Sequence, residues 1–518
     1  MKTIQEKIKQ LSIWRNHSCL YCEACNICHK CNNIPCQVKN FSKALNQSRI
    51  GSTNITSQSN AISVSNESRN ELTSNNNQSS TSNDNDCLSI DWKLQIYNNK
   101  FVYGINPAFN NHLFFLGQYT GPELNLGTIT LFSPTSSVFF SQVNTDGEIV
   151  LAHNLWTYDG IREDYQFGQL SIDGEGNLIV LTTFVGTLNF NNGQTISEDD
   201  GNTMIGKFFQ TGQPVWIRQL TAKSIEDIYF TLDSNNNIYI VGTFTGTLSV
   251  SDPDSPLITS NLESNMFIGR INSNGSTQWL ITAIGTGYNT GEGITFYENN
   301  IVAIGTFNET FILDGETLVN NDAFSNMWVA KLNLNGDLLN LTSPIHPNNN
   351  QETDLIDGGQ IISHRGNLYI AGELLGNFIF SDIDIDVELK SVFVAELNTD
   401  LDFLWISLLQ VDIPTDNSLE PKLTAAENRI ILSNFGIGTV HYLNDNGQID
   451  FRRKGSGSLD QIISELSLQG NWLDSLSICG TVENFSIPLI ANNNNVFLIG
   501  THAVNNERTD AFLVNILL

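Results

Sequence analysis

A chain of 518 residues and 57.4 kDa is long enough for several domains or one large repeat architecture. Its formal charge of −29 sets the bulk of the chain against phosphate backbones and excludes nucleic acid as a partner of that part. Apolar residues make up 40%, enough for a core, but no run approaches the roughly 18 apolar residues of a membrane span, so no transmembrane segment is expected.

Charge and cysteine divide the chain. Residues 1–86 carry +3 and residues 87–518 carry −32. Residues 1–15 contain Lys2, Lys7 and Lys9 without a continuous apolar stretch, which does not read as a secretory signal. Cysteines fall at Cys19, Cys22, Cys25, Cys28 and Cys31 in steps of three, and Cys36 follows. A two-residue spacer lets both thiolates of a pair reach one ion, and His17 and His29 lie close by. Residues 1–39 are therefore expected to form a Cys-rich metal-binding segment, with zinc as the cofactor. An iron–sulfur site fits less well, because the spacing departs from the ferredoxin pattern and Pro35 precedes Cys36 where that pattern has it following. Free, acylated or cross-linked thiols are the alternatives. Only Cys87 and Cys479 lie downstream, so the rest is no disulfide framework and a reducing compartment is expected.

Residues 40–86 come next. Of these 47 residues, 27 are Asn, Ser or Thr and Phe41 is the one aromatic, too little apolar surface to offset ordering entropy. They are expected to be a disordered linker.

From residue 87 onward the chain repeats. Ile238, Tyr239, Ile240, Val241 and Gly242 have cousins ending at Gly117, Thr182, Gly305, Gly372, Ser433 and Gly500, with steps of 65, 60, 63, 67, 61 and 67 residues. Each copy is short, β-branched and aromatic, bounded by Asn or Gly, and so predicts a strand. A second element ends in a turn and an aromatic: Gly212 with Trp216, Gly275 with Trp279, Asn335-Gly336, Leu401 with Trp405, and Asn446-Gly447 with Phe451. Such turns supply positive φ, and the aromatic suits packing between neighbouring sheets. A further strand precedes each anchor, as at residues 226–233. The period thus holds four strands, repeated seven times with no helical pattern between. The expected fold is all-β: a seven-bladed β-propeller over residues 87–518. Residues 510–518 read as the third strand of a last blade, and residues 88–96, with Trp92, as its fourth, an N-terminal strand closing the ring.

These residues carry a resemblance. Aliphatic strand-Gly, then Phe-x-x-Lys/Arg-Leu/Ile-Asn, then turn-Gly and Trp resembles the seven-bladed β-propeller repeat family abbreviated SBBP and is similar to PQQ-like repeats. Asn-rich propeller-repeat proteins of this look also occur in large DNA viruses. The resemblance implies a fold much more than a function, because these families span binding scaffolds and enzymes.

The motifs of chemistry are sparse. No Ser-x-Asp-x-Gly box, Gly-x-Ser-x-Gly elbow or phosphate loop occurs. His112, His153, His346, His364, His441 and His502 occupy non-equivalent positions, unlike a metal-binding ring. Asp382, Asp384, Asp386 and Glu388 alternate with aliphatic residues and read as the solvated face of a strand, with a docking face for a basic partner or a weak calcium site as the functional reading. Glu198, Asp199 and Asp200 invite the same reading. Asp173 and Asp233, each followed by Asn at the fourth position, read as turns. No catalytic residues are found. The leading expectation is a non-enzymatic interaction scaffold or structural protein, cytoplasmic or in a virion, whose acidic propeller and tail engage a protein partner of basic character. The alternative is a carbohydrate-binding or hydrolytic propeller that uses its central mouth.

Overall fold

A computed structural model describes residues 90–96, 99–109, 112–159, 168–260, 264–320, 324–347, 353–411, 419, 421–443, 449–478, 489–492, 495–505 and 508–517. The expected metal ligands Cys19, Cys22, Cys25, Cys28, Cys31, Cys36, His17 and His29, and the linker at 40–86, lie outside these residues. Among the described residues the regular elements are all strands, so the fold is all-β, and it is consistent with a propeller.

One period shows how it is built. Ser224–Leu232, Ile238–Thr245, Asn265–Ile271 and Thr277–Thr282 pair antiparallel, in that order, as a four-stranded sheet. Gly293–Tyr297, Asn300–Phe307, Asn326–Asn333 and Leu338–Thr342 repeat it. The second strand of each unit is apolar on both faces, and the packing explains why. Ile238, Ile240 and Phe244 enter one core cluster, whereas Tyr239 and Val241 enter the next. Ile301 and Ala303 share that second cluster, and Val302 and Ile304 enter a third. A strand has period two, so a sheet stacked between two neighbours needs an uninterrupted apolar run, and these runs supply it.

The glycine at the end of each run answers a close approach. A Cβ at Gly305 would meet the Thr290 carbonyl oxygen at 2.0 Å, and one at Gly372 the Asp357 carbonyl oxygen at 2.2 Å. The first strand of the same unit bends in against that backbone, leaving no room for a side chain.

The tryptophans lock one unit to the next. Trp216 lies on Gly275 and donates from Nε1 to the Ser273 carbonyl at 3.0 Å. Trp279 lies on Gly336 and donates to the Leu334 carbonyl at 3.1 Å, and Trp405 lies on Gly470. These glycines have φ of +87°, +91° and +81°, so they both make the turn and present the flat surface the indole covers. Arg218 donates to the Gly275 carbonyl at 2.7 Å and Arg270 to the Leu334 carbonyl at 3.0 Å, which closes the same seam. Backbone pairing adds to it. Hairpin arms between second and third strands reach back to the fourth strand of the preceding unit, as in Leu220↔Val250, Ile284↔Ile312 and Leu408↔Leu443. These bonds fuse neighbouring units into longer sheets.

One expected turn is corrected. Asn446-Gly447 lies outside the described residues, but Arg429–Leu443 and Ile449–Ser467 flank it as second and third strands of their unit. The turn into the fourth strand, Trp472–Ile478, instead runs through Gly470. There Trp472 meets Tyr442 edge-on at 4.9 Å and Trp405 covers the glycine. An Asn-Gly pair signals a tight hairpin without saying which one; the neighbouring tryptophan decides it.

Ile90–Ile96 pairs antiparallel with Arg508–Leu517, Leu94 opposite Leu513, in one sheet with Asn495–Asn505 and Leu489–Asn492. This backbone pairing joins segments more than 400 residues apart in sequence. Deleting residues 88–98 would bare an edge strand and is expected to lower the melting temperature of the whole β-structure by several degrees or more. A cooperative melt unchanged in midpoint would contradict a stabilising role for this pairing.

Candidate active site

The first strands of successive units lie side by side: Ser224–Leu232 next to Gly293–Tyr297, then Leu355–His364, then Lys422–Ala426. A polar side chain just after each strand glycine fixes where the next unit's first strand begins. Thr243 Oγ1 accepts from the Gly291 N–H at 3.1 Å, Thr306 Oγ1 from the Gly358 N–H at 3.3 Å, and Glu373 Oε1 from the Leu419 N–H at 2.5 Å. The first two bonds fix the backbone beside Glu292 and Asp357, and the third fixes Leu419 ahead of Lys422–Ala426.

Each carboxyl is set by its surroundings. Asp227 sits at a bulge, between Glu226 and Tyr229 in the register, with φ of +48°, a left-handed backbone conformation unusual for a side chain of any size. Solvent reaches it, yet protein crowds it closely enough that desolvation, followed by the charge of Glu226, raises its carboxyl, while Lys422 opposes the rise. Asp357 is raised by desolvation; the Ser325 hydroxyl, donating at 2.7 Å, counteracts, Glu373 adds to the rise and Lys390 opposes it.

Glu292 stands electrostatically between them. Burial pushes its carboxyl up to about 8; the Thr290 hydroxyl, donating to Oε1 at 2.6 Å, works against that, and the charges of Asp357 and Asp227 add to it. The residue is partly accessible, but its Oε2 is sealed from solvent, and the Thr306 hydroxyl works with Thr290 against the rise. Gly358 backs that oxygen so closely that a Cβ there would lie 3.3 Å from it. Tyr288 faces the same carboxylates; desolvation and then Asp357 raise its phenol to about 12, so it stays a hydroxyl donor at neutral pH. Lys390 pairs with Glu373, and the Lys422 ammonium lies 5.9 Å from the Tyr229 ring centroid.

This arrangement has a chemical meaning. Burial raises all three carboxyls, and Glu292 is the one that holds its proton at neutral pH.

The other acidic and histidine candidates resolve differently. Asp384, Asp386 and Glu388 are exposed, while Ile383 and Ile385 pack on the core and Val387 is buried, a solvated strand face. The side chains of Glu198, Asp199 and Asp200 lie outside the described ones, as do those of His502 and Cys479. Asp173 and Asp233 each accept from backbone N–H groups two and four residues on, as turn residues do, and Lys207 pairs with Asp173 at 2.7 Å. His346 is buried against Asp354 at 3.1 Å and tilted on Phe378, and His364 bonds the Glu427 carbonyl at 2.7 Å. Among the described residues no group of three or more His, Cys, Asp or Glu is placed to hold a metal ion.

Sequence reading missed Asp227, Glu292 and Asp357, although a signal was present. They stand 15, 13 and 15 residues before the strand glycines Gly242, Gly305 and Gly372. Recurrence at one place in the period had been sought for histidine and not for acids.

No family model matches the chain, and no curated protein does. Solved structures similar to it include the endosialidase of phage phi92, at 9% identity and TM-score 0.32 over 82% of this chain and 67% of that one. A subtype N10 neuraminidase-like protein of A/little yellow-shouldered bat/Guatemala/060/2010 gives 8% identity and TM-score 0.36 over 70% of this chain and 98% of that one. A GH43 β-1,3-galactosidase gives 10% and 0.25 over 81% and 94%. The expectation that the chain is no enzyme is corrected. Several of the similar solved structures bear the names of a sialidase or a glycosidase, at 10% identity or less.

The Glu292 shift has a stability consequence. Folded, the group holds its proton up to about pH 8; its ordinary value is 4.5. Between those values the folded state carries the extra proton, so stability falls as pH rises through that window. Glu292→Gln removes this contribution. Its melting temperature relative to the wild-type protein is expected to climb from about pH 5 to about pH 8 and then level. Parallel curves would show that Glu292 is not the group concerned.

Proposed function

We propose that this protein is a glycan-directed seven-bladed β-propeller that hydrolyses glycosidic bonds at the mouth formed by its first strands. The observation that carries the reading is Glu292, a carboxyl neutral at pH 7 with Asp357 and Asp227 beside it. In glycoside hydrolysis a protonated carboxyl donates to the leaving oxygen while an anionic carboxylate supports the developing positive charge or activates water. Glu292 takes the first role. Asp227, reached by solvent and faced by Lys422, and Asp357, held by Ser325, supply the anion. Tyr288 offers a hydroxyl donor to the sugar.

The seven-bladed ring is supported by contiguity. The strands Asn99–Phe109, Gly168–Ile172, Ser224–Leu232, Gly293–Tyr297, Leu355–His364, Lys422–Ala426 and Leu489–Asn492 each lie next to the following one, and the last lies next to the first. On this reading they are the innermost strands of seven blades, and Ile90–Ile96 completes the last blade.

The test is a panel of chromogenic glycosides and oligosaccharides beside a glycan array. The wild-type protein is expected to cleave at least one class, with activity lost as pH rises through about 8. Glu292→Gln should lower kcat by about 10²–10⁴-fold while leaving the fold intact. A blank panel together with a blank array would remove the reading.

The Cys-rich segment at 1–39 is a separate module in this proposal, binding zinc through Cys19, Cys22, Cys25, Cys28, Cys31 and Cys36 with His17 and His29 in reach. Metal analysis of anaerobically purified protein is expected to find one or two zinc ions per chain. A variant with the six cysteines changed to Ser should carry none; iron with visible absorption, or no metal in either protein, would overturn the assignment.

A further inference from the structure

We propose that the Asn-Gly turns of this chain are unequal modification sites: Asn192 converts spontaneously to aspartate and isoaspartate, while Asn274 and Asn335 are shielded by the tryptophans of the units before them.

The reaction uses groups the turn already holds. The glycine amide nitrogen attacks the Asn side chain at Cγ, the Cγ–Nδ2 bond breaks, and ammonia leaves with the amide proton. Water then opens the cyclic imide at either carbonyl, giving aspartate or isoaspartate. A following glycine favours the attack, because it has no Cβ beside the nitrogen and tolerates the backbone swing. The glycine N–H must first be released from its own acceptor.

Four Asn-Gly pairs occur, at 192, 274, 335 and 446, and the last lies outside the described residues. The three described pairs share one local turn. Gly193 donates its N–H to the Phe190 carbonyl at 2.9 Å, Gly275 to that of Asn272 at 2.8 Å, and Gly336 to that of Asn333 at 3.1 Å. The glycines have φ of +83°, +87° and +91°. Asn192 and Asn274 each accept from the N–H two residues on, at 2.9 and 3.0 Å. All three Asn residues are exposed, so local geometry does not separate them.

What lies on the glycine does. A Cβ at Gly275 would meet the Trp216 ring at 2.7 Å, and one at Gly336 the Trp279 ring at 3.0 Å; at Gly193 it would meet nothing within 4 Å. The indoles also bond the carbonyls just before the two Asn residues, those of Ser273 and Leu334. Arg218 adds a bond to the Gly275 carbonyl and Arg270 one to the Leu334 carbonyl. Opening either turn therefore means lifting a seam between units. Asn192 and Gly193 instead lie between Leu178–Phe190 and Thr195–Phe208, at the tip of a hairpin arm. Asn191 ties the base of that tip to the Asn154 and Gly212 carbonyls, but the glycine beyond it opens by local fraying alone. The shield matters to the fold, because isoaspartate at Asn274 would insert a backbone atom into the turn on which Trp216 lies.

The experiment incubates the full chain at mildly alkaline pH for several weeks, folded and, in parallel, unfolded in guanidinium chloride. Peptides containing each Asn are then quantified by mass spectrometry, with isoaspartate resolved by fragmentation. In the folded chain Asn192 is expected to convert at least about tenfold faster than Asn274 or Asn335, and in the unfolded chain the three rates should fall close together. Similar rates in the folded chain, or the same order in both, overturns the proposal. Trp216→Ala is expected to raise conversion at Asn274 several-fold while Asn335, under an intact Trp279, stays slow. An unchanged rate at Asn274 in the folded variant overturns the shielding role of the indole. Should Trp216→Ala fail to fold, Trp279→Ala asks the same question of Asn335, and the folded-against-unfolded comparison of the wild-type chain decides it independently.

Discussion

Everything in this structure depends on the indole that leaves one unit to lie on a turn glycine of the next. Trp216 on Gly275, Trp279 on Gly336 and Trp405 on Gly470 are one contact made three times. A tryptophan buries more apolar surface than any other side chain, and its one polar atom needs a partner when it is covered. The turn provides a flat apolar patch where a Cβ is missing, and for Trp216 and Trp279 also a carbonyl aimed at Nε1, whereas Trp405 donates to the Glu396 carboxylate. No single four-stranded sheet could bury its two apolar faces alone. The repeat is stable because each sheet is the lid of its neighbour, and the tryptophan sets the angle at which the lid sits.

The same constraint sets the first strands of neighbouring units side by side. Stacked sheets force the first strand of each unit against the second strand's glycine, and they force the entrances of adjacent first strands together. Thr243, Thr306 and Glu373 then bind the neighbouring backbone, so the positions of Glu292 and Asp357 are fixed by the seams between units. Carboxyls placed on one flexible loop would move apart and stay ionised. Held by three rigid sheets they cannot, and Glu292 keeps its proton instead. The left-handed Asp227 belongs to the same picture, because a strained backbone survives only where its surroundings over-determine it.

Function follows from that enforced proximity more than from any motif. The interior of the repeat is mainly apolar, and several of its buried polar residues have structural duties: Asp173 and Asp233 hold turns, and His346 answers Asp354. The acids at the strand entrances are different. They repel one another and are only partly neutralised by Lys390 and Lys422, an arrangement that costs stability and that chemistry on a glycosidic bond can use.

The division between what was legible in the chain and what was not follows the range of the interaction. The apolar runs ending at Gly242, Gly305 and Gly372, the turn glycines and the tryptophans are local signals, because a strand's burial on both faces and a turn's positive φ are written within about ten residues. The four-strand period and the all-β class could therefore be read from the sequence alone, and so could the solvated face at Asp384 and Asp386. The turn near Gly447 could not, since any Asn-Gly makes a hairpin and only Trp405, far away along the chain, marks Gly470 as the equivalent one. The acids were equally mute. Asp227, Glu292 and Asp357 are separated by 65 residues at each step, and a carboxyl's affinity for its proton depends on the charges and solvent within a few ångströms, which only the stacking of the sheets determines.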